Sequence, residues 1–291
     1  MFRRQTIQES NFDSVMRAAA TGTPAQLTIR LKIALLARDP SGPGQFNWGK
    51  GSAFTTEHLS RPGEDPHKGK VADGDGVLWD CLSWYETEFN AFRIKFKRIV
   101  ELAWNNQLIL LPPDGSDPAA NIGDDTFRDF VSSRTVPAHV RCGLEVALVS
   151  TANKRGFHAW MEAVKLAKKP VAGAFRSYAQ RITEEDVEFE RSSGSLRQVV
   201  AAHEVGHWLG KPVGLTVPER FLGHVDPEYG RTLSKRMAMM GMGSLVTPFE
   251  AAPFLLRAVR HTGLLTGWRV MHRIHFDRGI PISALQKRLF P

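Results

Sequence analysis

"AQLTIRLKIALLA", residues 25–37, alternates apolar and polar side chains over most of its length. Successive side chains of a β-strand point to opposite faces, so this period of two predicts a strand with one buried face. The apolar positions of that face are Leu27, Ile29, Leu31, Ile33 and Leu35. We therefore expect a half-buried strand at this point of the chain.

Further periodic segments follow this strand. Apolar residues at three- and four-residue spacing predict an amphipathic helix over residues 86–104. Alternation predicts a second clear strand within residues 139–149. The other predicted elements in this part are a strand at 107–111 that stops at Pro112, a helix at 154–170 that ends at Pro170, and a polar edge strand at 180–190. The alternation of strands and helices predicts a mixed α/β fold.

A further helix is predicted over residues 196–209. Ser195, followed three residues later by Gln198, matches a capping box at its start, and Gly210 suits its end. The segment is apolar on nearly every side, which is typical of a helix in the protein interior. The other expectations are a long irregular segment at 38–80, a helix near 249–262 and a strand within 268–276.

The composition is that of an ordinary globular protein and argues against several other classes. Apolar residues make up 42% of the chain, and there is no apolar run long enough for a membrane span. The net charge of +8 is spread along the chain, which does not favour nucleic-acid binding. The first residues lack the apolar segment of a secretory signal, so we expect cytoplasmic synthesis, with any export by a signal-peptide-independent route. Cys81 and Cys142 are far apart and are expected to be buried thiols.

The stretch "AAHEVGHWLG", residues 201–210, carries the strongest chemical signal. On a helix, residues four apart share a face with Cβ atoms about 6 Å apart, so His203 and His207 can bind one ion. Glu204 is rotated about 100° from His203, where a carboxylate can take a proton from water activated by zinc. The alternative is a buried helix whose histidines bond to backbone carbonyl groups. Two imidazoles and a carboxylate in an apolar helix favour a metal, because a cation stabilises all three.

A catalytic zinc site needs a third protein ligand. The segment "FLGHVDPEYG", residues 221–230, offers His224, Asp226 and Glu228. His224 is the first choice because it would complete an all-histidine ligand set, and Asp226 and Glu228 follow in that order. An ordinary acidic turn is the alternative interpretation of this segment.

Residues 195–248 resemble the zincin metallopeptidases, and among them the metzincin clan. The resemblance rests on "HEVGHWLG" and on the methionine-rich "RMAMMGMGS" that follows it. The segments "DPEYG" and "MMGMGS" are also similar to bacterial zincin-like proteins with an HEFGHxLGxxDEYG motif. One departure is clear: Val213 stands where the metzincin pattern has its third ligand, and "HVDPEYG" comes later in the chain.

The resemblance implies a zincin-like fold, with a twisted mixed sheet packed on helices and a zinc-binding helix at the floor of a cleft. We expect an N-terminal α/β region at 1–135, which belongs to the same fold, and a zincin-like catalytic region at 136–291. It places the methionine turn at Met240, with Met242 as the second choice. Tyr229, which belongs to the Asp-Glu-Tyr-Gly motif, is a candidate for stabilising the oxyanion.

The implied function is a zinc metalloendopeptidase that binds one Zn²⁺ and acts on a peptide or protein. A second hypothesis keeps the zinc without catalysis. In it, the chain is a zinc-stabilised structural or cargo component of a bacterial secretion or injection system. Glu204 separates the two hypotheses, because a purely structural zinc site does not need this carboxylate.

Overall fold

The computed structural model of the chain describes residues 4–9, 12–17, 23–38, 69–105, 107–113, 139–149, 156–167, 175–178, 180–188, 191–193, 196–209, 239, 246, 248–272 and 280–281. Within these ranges the helices are α1 Glu86–Trp104, α2 Val200–Leu209 and α3 Ala252–Thr262. The strands are β1 Arg4–Ile7, β2 Asp13–Arg17, β3 Ala25–Ala37, β4 Lys70–Ala72, β5 Leu78–Leu82, β6 Leu108–Leu111, β7 Val140–Leu148, β8 Ala159–Leu166, β9 Arg181–Thr183, β10 Arg191–Ser193, β11 Leu196–Gln198, β12 Arg269–His272 and β13 Ile280–Pro281.

Strand β3 lies at the centre of the sheet, and its bounds confirm the prediction for residues 25–37. It pairs in parallel with β7 along one edge. Along its other edge it pairs first with β2, antiparallel, and then with β8, in parallel. The five apolar side chains that define the alternation are all buried. The hydrophobic pattern thus locates the strand around which the sheet is built.

The main sheet contains strands of both directions. Its order is β13-β12-β6-β7-β3-β8-β5-β4, with β1 beside β2 and β9 beside β8. Strands from residues 1–135 and from residues 136–291 are interleaved in its central part. A mixed sheet with three helices among the described residues fits the α+β class. None of these helices is both long enough and apolar enough to cross a bilayer.

Helix α1 covers the edge of β7 where β6 no longer pairs with it. The Glu101 carboxylate accepts a hydrogen bond from the Val146 backbone N–H at 2.8 Å, and the Asn105 side chain accepts one from Leu144 at 2.7 Å. The helix therefore satisfies backbone donors that a neighbouring strand would otherwise take. Its apolar face contributes Phe92, Phe96, Ile99, Val100, Ala103 and Trp104 to the core. The predicted helix at 86–104 is confirmed with the same bounds.

The predicted helix at 154–170 is wrong, because residues 159–166 form strand β8. Seven of the eight residues of this strand are buried, so both of its faces are apolar and no alternation marks it. The buried polar residue of β8 is Glu162, which lies between two guanidinium groups. It accepts hydrogen bonds from Arg38 Nη1 at 3.1 Å and from Arg181 Nη2 at 2.6 Å. Arg38, Glu162 and Arg181 are named the ion-pair cluster below.

The start of the predicted helix at 196–209 is also corrected. Residues Leu196–Gln198 form β11, which pairs with β10 as a two-stranded hairpin, and helix α2 begins at Val200. Pairing with the neighbouring strand β10 has overridden the local capping signal at Gln198, and Ser195 lies outside the described residues. The predicted strands at 107–111 and 139–149 are confirmed, as are the C-terminal helix and the strand that follows it.

Two polar segments differ from their predictions: residues 180–190 contain less strand than expected, and residues 38–80 contain more. Among the described residues 180–188 of the predicted strand, β9 is the part that pairs as a strand, and its three buried residues lead into a 3-10 turn at Glu184–Val187. Part of the irregular segment at 38–80 forms β4 and β5, while residues 39–68 lie outside the described ranges. The turn between these strands is organised by Asp73, whose carboxylate accepts hydrogen bonds from the backbone N–H groups of Asp75 and Val77.

The expectation for the cysteines is confirmed. Cys81 and Cys142 are both buried, and they lie in different strands. Burial raises the pKa of the Cys142 thiol, which keeps it protonated and unreactive.

Candidate metal centre

Helix α2 carries the candidate site and lies deep in the protein. Eight of its ten residues are buried. Ala201 and Ala202 are fully buried, and they let the helix approach its neighbours closely. The indole Nε1 of Trp104, the last residue of α1, donates a hydrogen bond to the Ala202 backbone oxygen at 3.0 Å. Helix α1 therefore fixes α2 directly beside the first histidine of the motif.

His203, Glu204 and His207 converge as their spacing predicts. Each offers one ligand atom, and these three atoms lie within 4.8 Å of one another. The two imidazole rings are 5.0 Å apart between centroids and stand at 84° to each other. The His207 Nε2 atom is 3.6 Å from a Glu204 carboxylate oxygen. Among the described residues, this is the group of histidine, cysteine and acidic side chains that could hold a metal ion.

The three side chains differ in their access to solvent. His203 is 7% exposed and Glu204 is 4% exposed. The His207 side chain is 14% exposed, so solvent reaches the group from the C-terminal end of the motif.

One hydrogen bond fixes the tautomer of His203. Its Nδ1 atom lies 2.8 Å from the backbone oxygen of Met239, and a carbonyl oxygen can only accept. Nδ1 therefore carries the proton, and the neutral ring has its lone pair on Nε2. Metal-binding histidines are commonly oriented by such a bond from the second ring nitrogen to a backbone carbonyl. Met239 is fully buried, which holds this acceptor in place.

The chemistry of the donor set fits zinc. Two imidazoles and a carboxylate within 4.8 Å of one another are groups that Zn²⁺ binds readily. The alternative interpretation, histidines bonded to backbone carbonyl groups, describes the Nδ1 atom of His203. It does not explain why a carboxylate, Glu204, stands beside the two imidazoles on a buried helix. The arrangement can therefore hold a cation with a carboxylate beside it.

Several predicted residues lie outside the described ranges. They are the ligand candidates His224, Asp226 and Glu228, the oxyanion candidate Tyr229, and the methionine-turn candidates Met240 and Met242. Their roles stay predictions. Sequence reasoning did not single out Met239 or Trp104 as parts of the site. Met239 belongs to the methionine-rich segment, and Trp104 continues the helical spacing of apolar residues in α1. These two patterns are the signals in the sequence that could have indicated the two residues.

Comparison with protein-family models, with curated proteins and with solved structures gave no match. The functional interpretation therefore depends on the residues of this chain and on their geometry.

Proposed function

We propose that the chain is a zinc-dependent endopeptidase of the zincin type. His203 and His207 bind the metal, and Glu204 is the general base. The observation that carries this proposal is the convergence of the three side chains, with the His203 tautomer set by Met239. A zincin-like arrangement of the whole fold is part of the same proposal, supported by a buried motif helix that packs against α1 in a protein with a mixed sheet.

The reaction assigns distinct roles to the residues of the motif. When bound, zinc supplies Lewis-acid activation of a carbonyl oxygen and of water. The Glu204 carboxylate takes the proton of the attacking water and delivers it to the leaving amine. Because Glu204 is nearly buried, its charge acts in a medium of low dielectric constant, where it interacts more strongly than in water. His203 and His207 remain neutral ligands throughout.

The rest of the site follows from the sequence. We propose His224 as the third ligand, with Asp226 and Glu228 as the alternatives, and Tyr229 as the group that stabilises the oxyanion. The contact between Met239 and His203 supports a methionine turn at the adjacent Met240. A peptide or protein is the corresponding substrate class.

The test is a comparison of the wild-type chain with Glu204→Gln. Both proteins are analysed for bound zinc and assayed for cleavage of a broad peptide library. We expect zinc in both and a loss of activity of about 100-fold or more in the variant, since it keeps the shape of the side chain but removes the base. Glu188→Gln is the matched control, because Glu188 is exposed and pairs with Lys95 at the surface. This control should cleave as the wild type does.

Two other results would reject the peptidase. Equal cleavage by wild type and Glu204→Gln would show that the carboxylate is not the base. Zinc in both proteins without cleavage by either would favour the non-catalytic structural or cargo role instead.

A further inference from the structure

A second polar cluster joins the N-terminal hairpin to α3. The hairpin is formed by β1 and β2, and its described residues are 4–9 and 12–17. His261, in the last turn of α3, is 4% exposed, and its ring contacts both strands of the hairpin. Its Nδ1 atom is 3.0 Å from the Gln5 side-chain oxygen, and its Nε2 atom is 3.0 Å from the Ser14 hydroxyl.

The contacts of His261 suit a neutral imidazole, because both ring nitrogens meet uncharged side chains. The Gln5 oxygen only accepts, so Nδ1 donates to it, and Nε2 then accepts from the Ser14 hydroxyl. A second proton on the ring would make the Ser14 hydroxyl an acceptor and would place a positive charge in a buried site. The hydroxyl, imidazole and amide resemble the order of a nucleophile, a base and an orienting group. Ser14 is fully buried, however, so a substrate could not reach it.

A buried arginine makes a positive charge at His261 still less favourable. Arg257, one turn earlier on α3, is fully buried and donates from Nη2 to the Phe12 backbone oxygen at 3.1 Å. Its guanidinium group lies 4.3 Å from the centre of the Phe12 ring and forms an ion pair with Glu9. Glu9 also pairs with Arg260 at 3.4 Å.

A second histidine, His158, contacts the hairpin, and a backbone donor keeps its imidazole neutral. The His158 Nδ1 atom accepts a hydrogen bond from the Lys32 backbone N–H at 2.9 Å, so it cannot carry a proton. Its Nε2 atom faces Asp13 Oδ1 at 3.4 Å, and the other Asp13 oxygen pairs with Lys32 Nζ at 2.8 Å. Protonation of His158 would place a second donor against the Lys32 N–H group.

We propose that the contact between the N-terminal hairpin and α3 is a pH-sensitive latch, closed while His261 and His158 are neutral and opened by acid. The charged and titratable groups around the two imidazoles are Arg257 and Arg260 from α3, Glu9 and Asp13 from the hairpin, and Lys32 from β3. The latch stands whether or not the proposed peptidase activity is correct.

The direction of the pH effect follows from the burial of the rings. Burial, and next the charge of Arg257, lowers the pKa of His261 to about 4. Burial also lowers the pKa of His158, with Asp13 opposing the shift. An imidazole that reaches water when the hairpin opens has a pKa of about 6.5, so the open state binds the extra proton. The closed state is therefore most stable above about pH 6.5 and loses stability as the pH falls toward about 4.

The latch is connected to the metal centre by a short route. Phe254 of α3 packs against Trp104 with ring centres 6.4 Å apart. Trp104 in turn donates to the Ala202 backbone oxygen, beside His203. A movement of α3 would therefore be transmitted to α2 through Trp104.

Hydrogen exchange of the full chain at pH 7.5 and pH 5.0 tests the latch. Protection factors, which correct for the intrinsic pH dependence of exchange, give the opening equilibrium of each segment. We expect opening of residues 4–17 and of the last turn of α3 to rise roughly 20- to 30-fold at pH 5.0, with little change in β3 and β7. His261→Gln keeps a hydrogen-bonding side chain that does not titrate, so most of this response should be lost. His139→Gln, at the entry to β7, should respond as the wild type does.

Two results would overturn the latch. One is equal protection of the hairpin at both pH values in the wild type, and the other is an unchanged acid response in His261→Gln. If that variant does not fold, an NMR titration of the wild-type imidazoles decides. His261 should remain neutral at pH 5.5, whereas titration near pH 6.5 would contradict the proposal.

Discussion

The ion-pair cluster and the candidate metal centre both bury a carboxylate, but they differ in what balances its charge. Glu162 lies between Arg38 and Arg181, and all three side chains are at most 2% exposed. Glu204 is buried to a similar degree, and the His207 imidazole lies 3.6 Å from its carboxylate. An ionised carboxylate is costly in the protein interior unless a cation or hydrogen-bond donors balance its charge. Two arginines supply the charge in the first site, and we propose that zinc supplies it in the second.

The two sites also differ in composition, because arginines flank the carboxylate of the first and imidazoles flank the carboxylate of the second. In the ion-pair cluster, both Glu162 oxygens are occupied by guanidinium donors, so the group can only stabilise the fold. In the metal centre, ligand atoms of His203, Glu204 and His207 lie within 4.8 Å of one another, and the His207 side chain is 14% exposed. A closed set of charges thus holds strands β8 and β9 together, whereas we propose that the second set binds a metal ion.

The largest effect on stability is expected for Glu162→Gln. This change leaves two buried guanidinium groups without their counter-charge, which should lower the free energy of unfolding by about 3–5 kcal/mol. Urea denaturation measures the loss. Glu145→Gln is the matched control, because Glu145 pairs with Arg30 at a partly exposed site and its replacement should cost less than about 1 kcal/mol. Equal losses in the two variants would show that the buried cluster contributes no more than a surface pair.

A smaller effect is expected for Trp104→Phe. The variant keeps an aromatic ring in the core but loses the bond to the Ala202 oxygen, at a cost of about 1–2 kcal/mol. Since this bond fixes α2 beside His203, zinc affinity should also fall, by up to about tenfold. Urea denaturation and zinc titration measure the two effects.

Trp84→Phe is the control for that prediction. The Trp84 indole donates to the Ala163 backbone oxygen at 2.9 Å, a bond of the same kind in a different part of the fold. Its loss should lower stability without changing zinc affinity. An equal change of zinc affinity in both variants would mean that Trp104 has no specific role at the site.

The sequence predicted those elements that have one apolar and one polar face. Strand β3 and helix α1 have the bounds that their patterns predicted, because alternation and helical spacing are visible in such elements. Strand β8 was mistaken for a helix because both of its faces are buried. The start of α2 was misplaced because residues 196–198 pair with β10, which local capping signals do not register.

The same distinction applies to the site. The positions of His203, Glu204 and His207 relative to one another follow from the geometry of a single helix, so their spacing was sufficient to predict the cluster. The bonds from His203 to Met239 and from Trp104 to Ala202 join residues 36 and 98 positions apart. Contacts over such distances depend on the whole fold, and no local pattern encodes them.

The most direct test of the account is the zinc content of the purified full chain. Plasma mass spectrometry after dialysis should find about one zinc per chain in the wild type and in Glu204→Gln, because the carboxylate is not proposed as a ligand. The double variant His203→Ala/His207→Ala should contain almost none, since both proposed imidazole ligands are gone. A wild-type chain that holds no more zinc than this double variant would contradict the metal centre and the peptidase proposed from it.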